Sequence, residues 1–208
     1  MRMTNNKEIR AFHFEVRADQ NEEHGHFLYG TPIVFDQKTD LGYCDEVIER
    51  GALADTDLRD VRFLVNHNTD MIPLARSRNN NENSTMQLVV TEDGMNIRVD
   101  LDTENNAEAK SLYSAVGRGD LDGMSFMFTV GADSWEELES NHPTRHIDKL
   151  DKVFEVSAVT FPAYEQTSIS ARGLSEALES AKESLENERA AKRAIEAQKL
   201  KIRILAMK

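Results

Sequence analysis

The run Gly123-Met124-Ser125-Phe126-Met127-Phe128 sets one small hydroxyl inside an otherwise apolar stretch. A short apolar run that carries aromatics and follows a glycine reads as a buried strand. Successive side chains of a strand point to opposite faces, so Ser125 stands on the face away from Phe126 and Phe128. Two further apolar runs carry polar groups in the same manner. Val61-Arg62-Phe63-Leu64-Val65 leads straight into Asn66-His67-Asn68, and Phe154-Glu155-Val156-Ser157-Ala158-Val159-Thr160-Phe161-Pro162-Ala163 holds a carboxylate and two hydroxyls within a strand. A serine, a histidine and a carboxylate suffice for base-assisted attack on a carbonyl. Their order here, His then Ser then Glu, is not that of chymotrypsin, of subtilisin or of the hydrolases with a nucleophile elbow, and the chain has no G-x-S-x-G elbow.

Around these runs the chain alternates in strand fashion. In Arg10–Arg17, apolar Phe12, Phe14 and Val16 alternate with His13, Glu15 and Arg17. A second strand is expected from Phe27 to Phe35, broken at Gly30 and Pro32. Residues 45–58 read as a short helix carrying Val47, Ile48 and Leu53, and Asn79–Ser84 as a polar loop. Met86–Thr91 and Met95–Leu101 form a hairpin through Glu92-Asp93-Gly94. Ala109, Leu112, Tyr113 and Val116 have helical spacing, with Gly117 as the expected C-cap. Leu121–Val130 and Val153–Phe161 return to strand.

From Leu174 to Lys208 there is no glycine or proline, and Ala, Glu, Lys, Arg and Leu dominate. This predicts a helical tail, with a domain boundary near Arg172 that separates residues 1–171 from 172–208. A heptad frame catches Leu174, Leu178, Ala181, Leu185, Ile195 and Ile202 but also lands on Glu188, Lys192 and Lys199. Such a broken seam argues against a long two-stranded coiled coil. The tail reads either as a solvated helix or as a docking segment for a helical partner.

The 208 residues suit one medium domain with an appendage. The net charge of -12 is unevenly spread: residues 172–208 hold nine Lys/Arg and six Asp/Glu, so the rest carries about -15. A body that acidic repels nucleic acid. With 39% apolar residues, 30% charged residues and a mean hydropathy of -0.56, the chain can bury a core and remain soluble. No stretch approaches the roughly 18 apolar residues of a membrane helix. The polar start Met1–Glu8 does not read as a secretory signal. Cys44 is the only cysteine, which excludes an intramolecular disulfide and suits a reducing cytoplasm.

Each candidate has a bland alternative. A serine in a strand is usually a packed small residue, and Ser157 sits as close to Glu155 as any nucleophile could. His67, where a strand emerges into a loop, could be a structural donor. A buried Glu155 requires a partner, whether a histidine ring, a lysine or backbone amides. His24 and His26 lack a third ligand for a metal, and there is no HExxH, so no metal or cofactor is expected. His142 and His146 precede the Glu155 strand and stand in reserve.

The three segments, in this order and at these separations, resemble the prohead (capsid-maturation) serine proteases of tailed bacteriophages, distant relatives of the herpesvirus assemblins. The likeness takes in Val47-Ile48-Glu49-Arg50-Gly51-Ala52-Leu53, Glu92-Asp93-Gly94-Met95, the lead Val116-Gly117-Arg118-Gly119-Asp120-Leu121 and the closing Val159-Thr160-Phe161-Pro162-Ala163-Tyr164. It spans roughly Tyr29 to Ala171. Met127, where relatives often have glycine, and Pro73-Leu74-Ala75-Arg76 after the histidine depart from it.

The resemblance implies an α+β fold, a β-barrel core of mostly antiparallel strands with a few helices around it and a C-terminal helical extension. It implies a serine endopeptidase with Ser125 as nucleophile, His67 as general base and Glu155 as third member; assemblins use a second histidine there, which keeps His146 in reserve. The oxyanion donors would be amides near Gly117-Arg118-Gly119 or the Arg118 side chain. Implied substrates are the scaffold and the major capsid protein inside an assembling procapsid in the host cytoplasm, with self-cleavage near Arg172. Self-association is a further expectation; nucleic acid and membrane partners are not expected. The competing reading, a non-catalytic assembly protein, requires Ser125 to be buried, hydrogen-bonded to backbone and far from His67.

Overall fold

The computed structural model describes residues 7–12, 16–21, 25–160 and 170–206. In chain order the elements are β1 (Lys7–Phe12), β2 (Arg17–Asn21), β3 (Gly25–Val34), β4 (Thr39–Asp40), β5 (Asp45–Ile48), β6 (Asp60–Val65), β7 (Ala75–Arg78), β8 (Met86–Val90), β9 (Gly94–Leu101), α1 (Ala107–Arg118), β10 (Gly123–Glu136), β11 (Thr144–Val159) and α2 (Ser170–Ala206).

The fold is α+β and rich in antiparallel strands. A seven-stranded sheet runs β1-β10-β11-β5-β4, with β6 paired to β11 and β7 to β6. The 16-residue β11 takes two parallel partners along one edge, β5 at Thr144–Ile147 and β6 at Glu155–Ala158. A four-stranded sheet runs β2-β3-β9-β8. The main core includes Phe63, Phe126, Phe128, Val153 and Val156 of the first sheet with Leu28, Ile33, Met95 and Val99 of the second. These positions follow the alternation of apolar residues along each strand, which gives each sheet one face to bury.

The antiparallel-rich core and the C-terminal helix are as expected, and the strands do not close into a continuous barrel. Among the described residues no ladder joins the two sheets. Where β7 meets β8, hydroxyls take the place of strand pairing: Thr85 Oγ1 accepts from Arg76 N at 2.9 Å and Ser84 Oγ from Arg78 N at 2.9 Å.

The hairpin stands, with Thr91 N donating to Gly94 O at 2.8 Å. Gly94 is required because a Cβ there would lie 2.0 Å from the Ile33 carbonyl oxygen. The expected break in β3 is a register shift between Gly30 and Ile33. Residues 45–58 are not helical. Val47 and Ile48 lie in β5, and turns follow through Gly51 at φ 92°. Helical spacing there is mimicked by β-branched residues whose long-range ladder to β11 wins. In α1, Asn106 caps the start by accepting from Glu108 N and Ala109 N, and the left-handed cap is Gly119 (φ 74°), two residues beyond Gly117.

The N-terminal strand covers Lys7–Phe12; His13 to Glu15 lie outside the described residues, as do Phe161 to Thr167 and His24. Its inward positions carry charge. Glu8 and Arg10 of β1, Glu46 of β5 and Arg145 of β11 are each at most 2% exposed. Arg10 binds Glu46 through two nitrogens and Glu8 at 2.6 Å. Arg145 donates to Glu8 at 3.0 Å, to Glu46 at 3.2 Å and to Asp133 at 2.7 Å. Burial alone would push the Glu8 carboxyl up, but Arg10 and Arg145 outweigh it and hold it below the ordinary range. Burial would likewise lower both guanidiniums, and the surrounding carboxylates hold them above their usual values.

The tail is helical as expected and its first half docks on the body. Ser180 donates to Glu8 at 2.8 Å, Ser184 to Asp133 at 2.8 Å, and Arg189 to the carbonyls of Leu138 and Ser140. Ala181 and Leu185 are buried, whereas Ile195, Leu200, Ile202, Ile204 and Leu205 are exposed. No helix among the described residues is long and apolar enough to cross a membrane. Cys44 is buried beside this cluster, and burial pushes its thiol up to about 11.

Candidate active site

Three adjacent strands, β10, β11 and β6, bring the site together. Ser125 on β10 lies directly opposite Ser157 on β11, and Met127 opposite Glu155. Cross-strand partners share a face, as do residues two apart, so Ser125, Ser157 and Glu155 project on the same side. The parallel pairing of β6 with β11 carries the strand end at Val65 alongside Ala158, and His67 follows after Asn66.

The turn at that strand end is unusual. Asn66 and His67 both take positive φ, 51° and 55°. Two consecutive left-handed residues that are not glycine cost about 1–3 kcal/mol each and persist only where their surroundings hold them. Asn66 N donates to Ala158 O at 2.9 Å. Its side chain receives Thr160 N at 3.0 Å and gives to Thr160 Oγ1 at 3.1 Å. The His67 amide donates to Ser157 Oγ at 3.1 Å. The turn aims the imidazole back over the sheet.

His67 Nε2 is 2.5 Å from Ser125 Oγ, and Nδ1 is 2.5 Å from Glu155 Oε1. Ser157 Oγ donates to Glu155 Oε2 at 2.5 Å, so both carboxylate oxygens are held. Ser125 Oγ also lies 2.7 Å from the Arg10 carbonyl. Ser125 is fully buried and Glu155 nearly so, while the His67 side chain keeps 18% exposure. With Nδ1–H directed to Glu155, a neutral imidazole offers Nε2 as acceptor to the Ser125 hydroxyl. With both ring nitrogens protonated, Nε2–H donates to Ser125, whose proton then turns to the Arg10 carbonyl. The geometry accommodates both proton arrangements.

The other described histidines lie elsewhere. His146 is nine positions along β11 from Glu155, about 30 Å of strand, and its Nδ1 is 2.6 Å from Glu49 Oε1. It is not brought to Ser125. His142 Nε2 meets Asp45 at 3.1 Å and His26 Nδ1 meets Thr103 Oγ1 at 2.7 Å. Asp40, Asp45 and His142 cluster closely enough to hold a cation, but Lys38 Nζ already lies 3.3 Å from Asp45. The His142 contact, followed by Lys38, holds the Asp45 carboxyl below its ordinary range.

The suggested oxyanion donors are committed to other partners. Arg118 is engaged by Asp120 and by Ser114 Oγ, and the Gly119 amide donates to Val116 O at 3.0 Å. Beside His67 a mostly apolar groove of about 560 Å³ runs between Asn66, Asn68 and Met71 on one side and Leu112 and Leu121 on the other. Sequence reasoning missed this groove, the Arg10 carbonyl, and the bonds of Ser157. Only Ser157 left a signal, its two-residue spacing from Glu155.

No curated protein matches the sequence. Among solved structures, the chain is similar to the bacteriophage T4 capsid assembly protease gp21, at 12% identity and a TM-score of 0.36, over 73% of this chain and 98% of that one. Residues 12–183 match the family model of the caudovirus prohead serine protease, and the chain belongs to that family of proteases.

Proposed function

We propose that the chain is a serine endopeptidase of procapsid maturation, with Ser125 as nucleophile, His67 as general base and Glu155 as the carboxylate that orients and supports the imidazolium. The observation that carries this reading is the continuous chain Ser125 Oγ–His67 Nε2/Nδ1–Glu155 Oε1, with 2.5 Å at each contact. As Ser125 Oγ attacks the scissile carbonyl carbon, its proton passes to His67 Nε2, and Glu155 stabilises the resulting ion pair. The same proton goes to the leaving amine. Water then hydrolyses the acyl-serine with His67 again as base. The groove beside His67 receives an apolar side chain of the substrate.

On this reading the enzyme works inside the assembling procapsid in the host, and scaffold and major capsid protein are its substrates. The division near Arg172 separates a protease body from a helical tail that docks on scaffold and is open to self-cleavage. The distal half of α2 is the part available for docking, because Ser180, Ser184, Arg189 and Lys192 tie the proximal half to the body. Expression of wild type and of Ser125→Ala in separate cultures, followed by intact mass spectrometry, tests the chemistry. A defined cut in wild type and an intact 23.6 kDa mutant support it. A mutant that is cut at the same bond ends it. Deleting residues 193–208 should lower incorporation into procapsids without lowering hydrolysis of a peptide.

A further inference from the structure

Four features of the molecule are unused by the mechanism. The Asp40–Asp45–His142 group is internally paired with Lys38, and the buried Glu8–Arg10–Glu46–Arg145 cluster is satisfied throughout. The exposed apolar residues of distal α2 face no partner that the structure identifies. Ser157 is different, because both of its hydrogen bonds end on residues of the proposed triad.

We infer that Ser157 is a positioning residue: its hydroxyl clamps the Glu155 carboxylate and the His67 backbone together, and so fixes the orientation in which the imidazole meets Ser125. The inference rests on the reading of Ser125, His67 and Glu155 as a triad.

Ser157 is fully buried and directly opposite Ser125 in the β10–β11 ladder. Its oxygen accepts the His67 amide at 3.1 Å and its proton goes to Glu155 Oε2 at 2.5 Å. A hydroxyl can make both bonds at once, one as acceptor and one as donor. The first bond helps hold His67 in its left-handed conformation. The second occupies the carboxylate oxygen that His67 does not use, which leaves Oε1 to face Nδ1. Without the hydroxyl, a buried carboxylate oxygen and a backbone amide would each lose their partner. A hydroxyl donating to the carboxylate of a histidine–carboxylate pair stabilises the deprotonated, negative pair more than the neutral imidazolium–carboxylate pair. Its removal therefore lets the pair take up a proton at higher pH.

The test uses the full-length chain and a fluorophosphonate probe, which phosphonylates an activated serine with loss of fluoride and requires no knowledge of the substrate. Labelling rates are measured from acid to neutral pH, and the labelled peptide is identified by mass spectrometry. Wild type should label on Ser125. Ser157→Ala should label on Ser125 about 10- to 100-fold more slowly, with the acid midpoint of its rate profile moved upward. Ser157→Thr, which keeps the hydroxyl, should recover most of the rate and the wild-type midpoint. A Ser157→Ala protein within about twofold of wild type with an unmoved midpoint overturns the clamp and leaves the triad standing. A slow Ser157→Ala protein with an unmoved midpoint also overturns it, since loss of packing alone does that. Labelling of Ser157 in place of Ser125, or no labelling of wild type at all, removes the triad reading and the clamp with it.

Discussion

Ser125 and Phe128 lie three positions apart on β10, and each is close to a buried polar cluster of a different kind. Beside Ser125 stand His67, Glu155 and Ser157; beside Phe128 stands the Arg10 guanidinium, 5.5 Å from the ring, with Glu8, Glu46 and Arg145 around it. Both clusters are largely buried, with His67 partly open to solvent, and both are hydrogen-bonded throughout. They differ in whether a proton can move. Guanidiniums do not give one up, and carboxylates held between two of them do not take one except in acid. The first cluster has one imidazole between two oxygens, and its two ring nitrogens let it accept a proton at one side while donating at the other. Burial alone therefore says little about role; the chemistry of the central residue decides it.

The largest expected effect breaks the reactive cluster. Ser125→Ala should lower hydrolysis of a peptide substrate by about 10⁴- to 10⁶-fold, while the thermal midpoint stays close to wild type because a small buried residue replaces another. Breaking the charged cluster should do the reverse. Arg145→Met leaves Glu8, Glu46 and Asp133 short of a partner and should cost about 3–5 kcal/mol in a denaturant titration. If that variant is as stable as wild type, the charged cluster is not a structural element.

Acid tests the charged cluster in another way. The folded-state pKa of Glu8 is depressed, so its contribution to stability is complete above the ordinary value of 4.5 and is lost as pH falls through the folded value. Wild type should lose stability below that point, and Glu8→Gln should show a flatter acid dependence from a lower starting stability, read by urea midpoints across the pH range. The smallest effect belongs to a residue remote from both clusters: Ile202→Ser, at an exposed position, should change stability by no more than about 0.5 kcal/mol.

The meeting of Ser125, His67 and Glu155 was legible in sequence because strand pattern and residue chemistry coincide there. Val61–Val65 ends where His67 begins, and Ser125 and Glu155 interrupt apolar runs. The charged cluster was not. Glu8 and Arg10 share strand parity with Phe12, Phe14 and Val16, so the inward face was indicated, yet two charges on it carry no hydrophobic signal. Their partners Glu46 and Arg145 are 36 or more residues away. β5 failed for a related reason: Val47 and Ile48 fit a helical spacing locally, and only the distant β11 edge makes them a strand. The choice between Gly117 and Gly119 as cap turned on which glycine reaches the left-handed region, which spacing does not report. The barrel reading depended on strands meeting at both seams, and at one of them the Ser84 and Thr85 hydroxyls make the bridge.

The buried Cys44 gives the molecule a chemical clock. It is the sole thiol, sequestered next to the strand that supplies Glu46, and its raised pKa keeps it in the unreactive protonated form at neutral pH. A thiol-directed reagent can therefore modify the folded chain only when this corner opens, and the rate of mass gain counts those openings one molecule at a time.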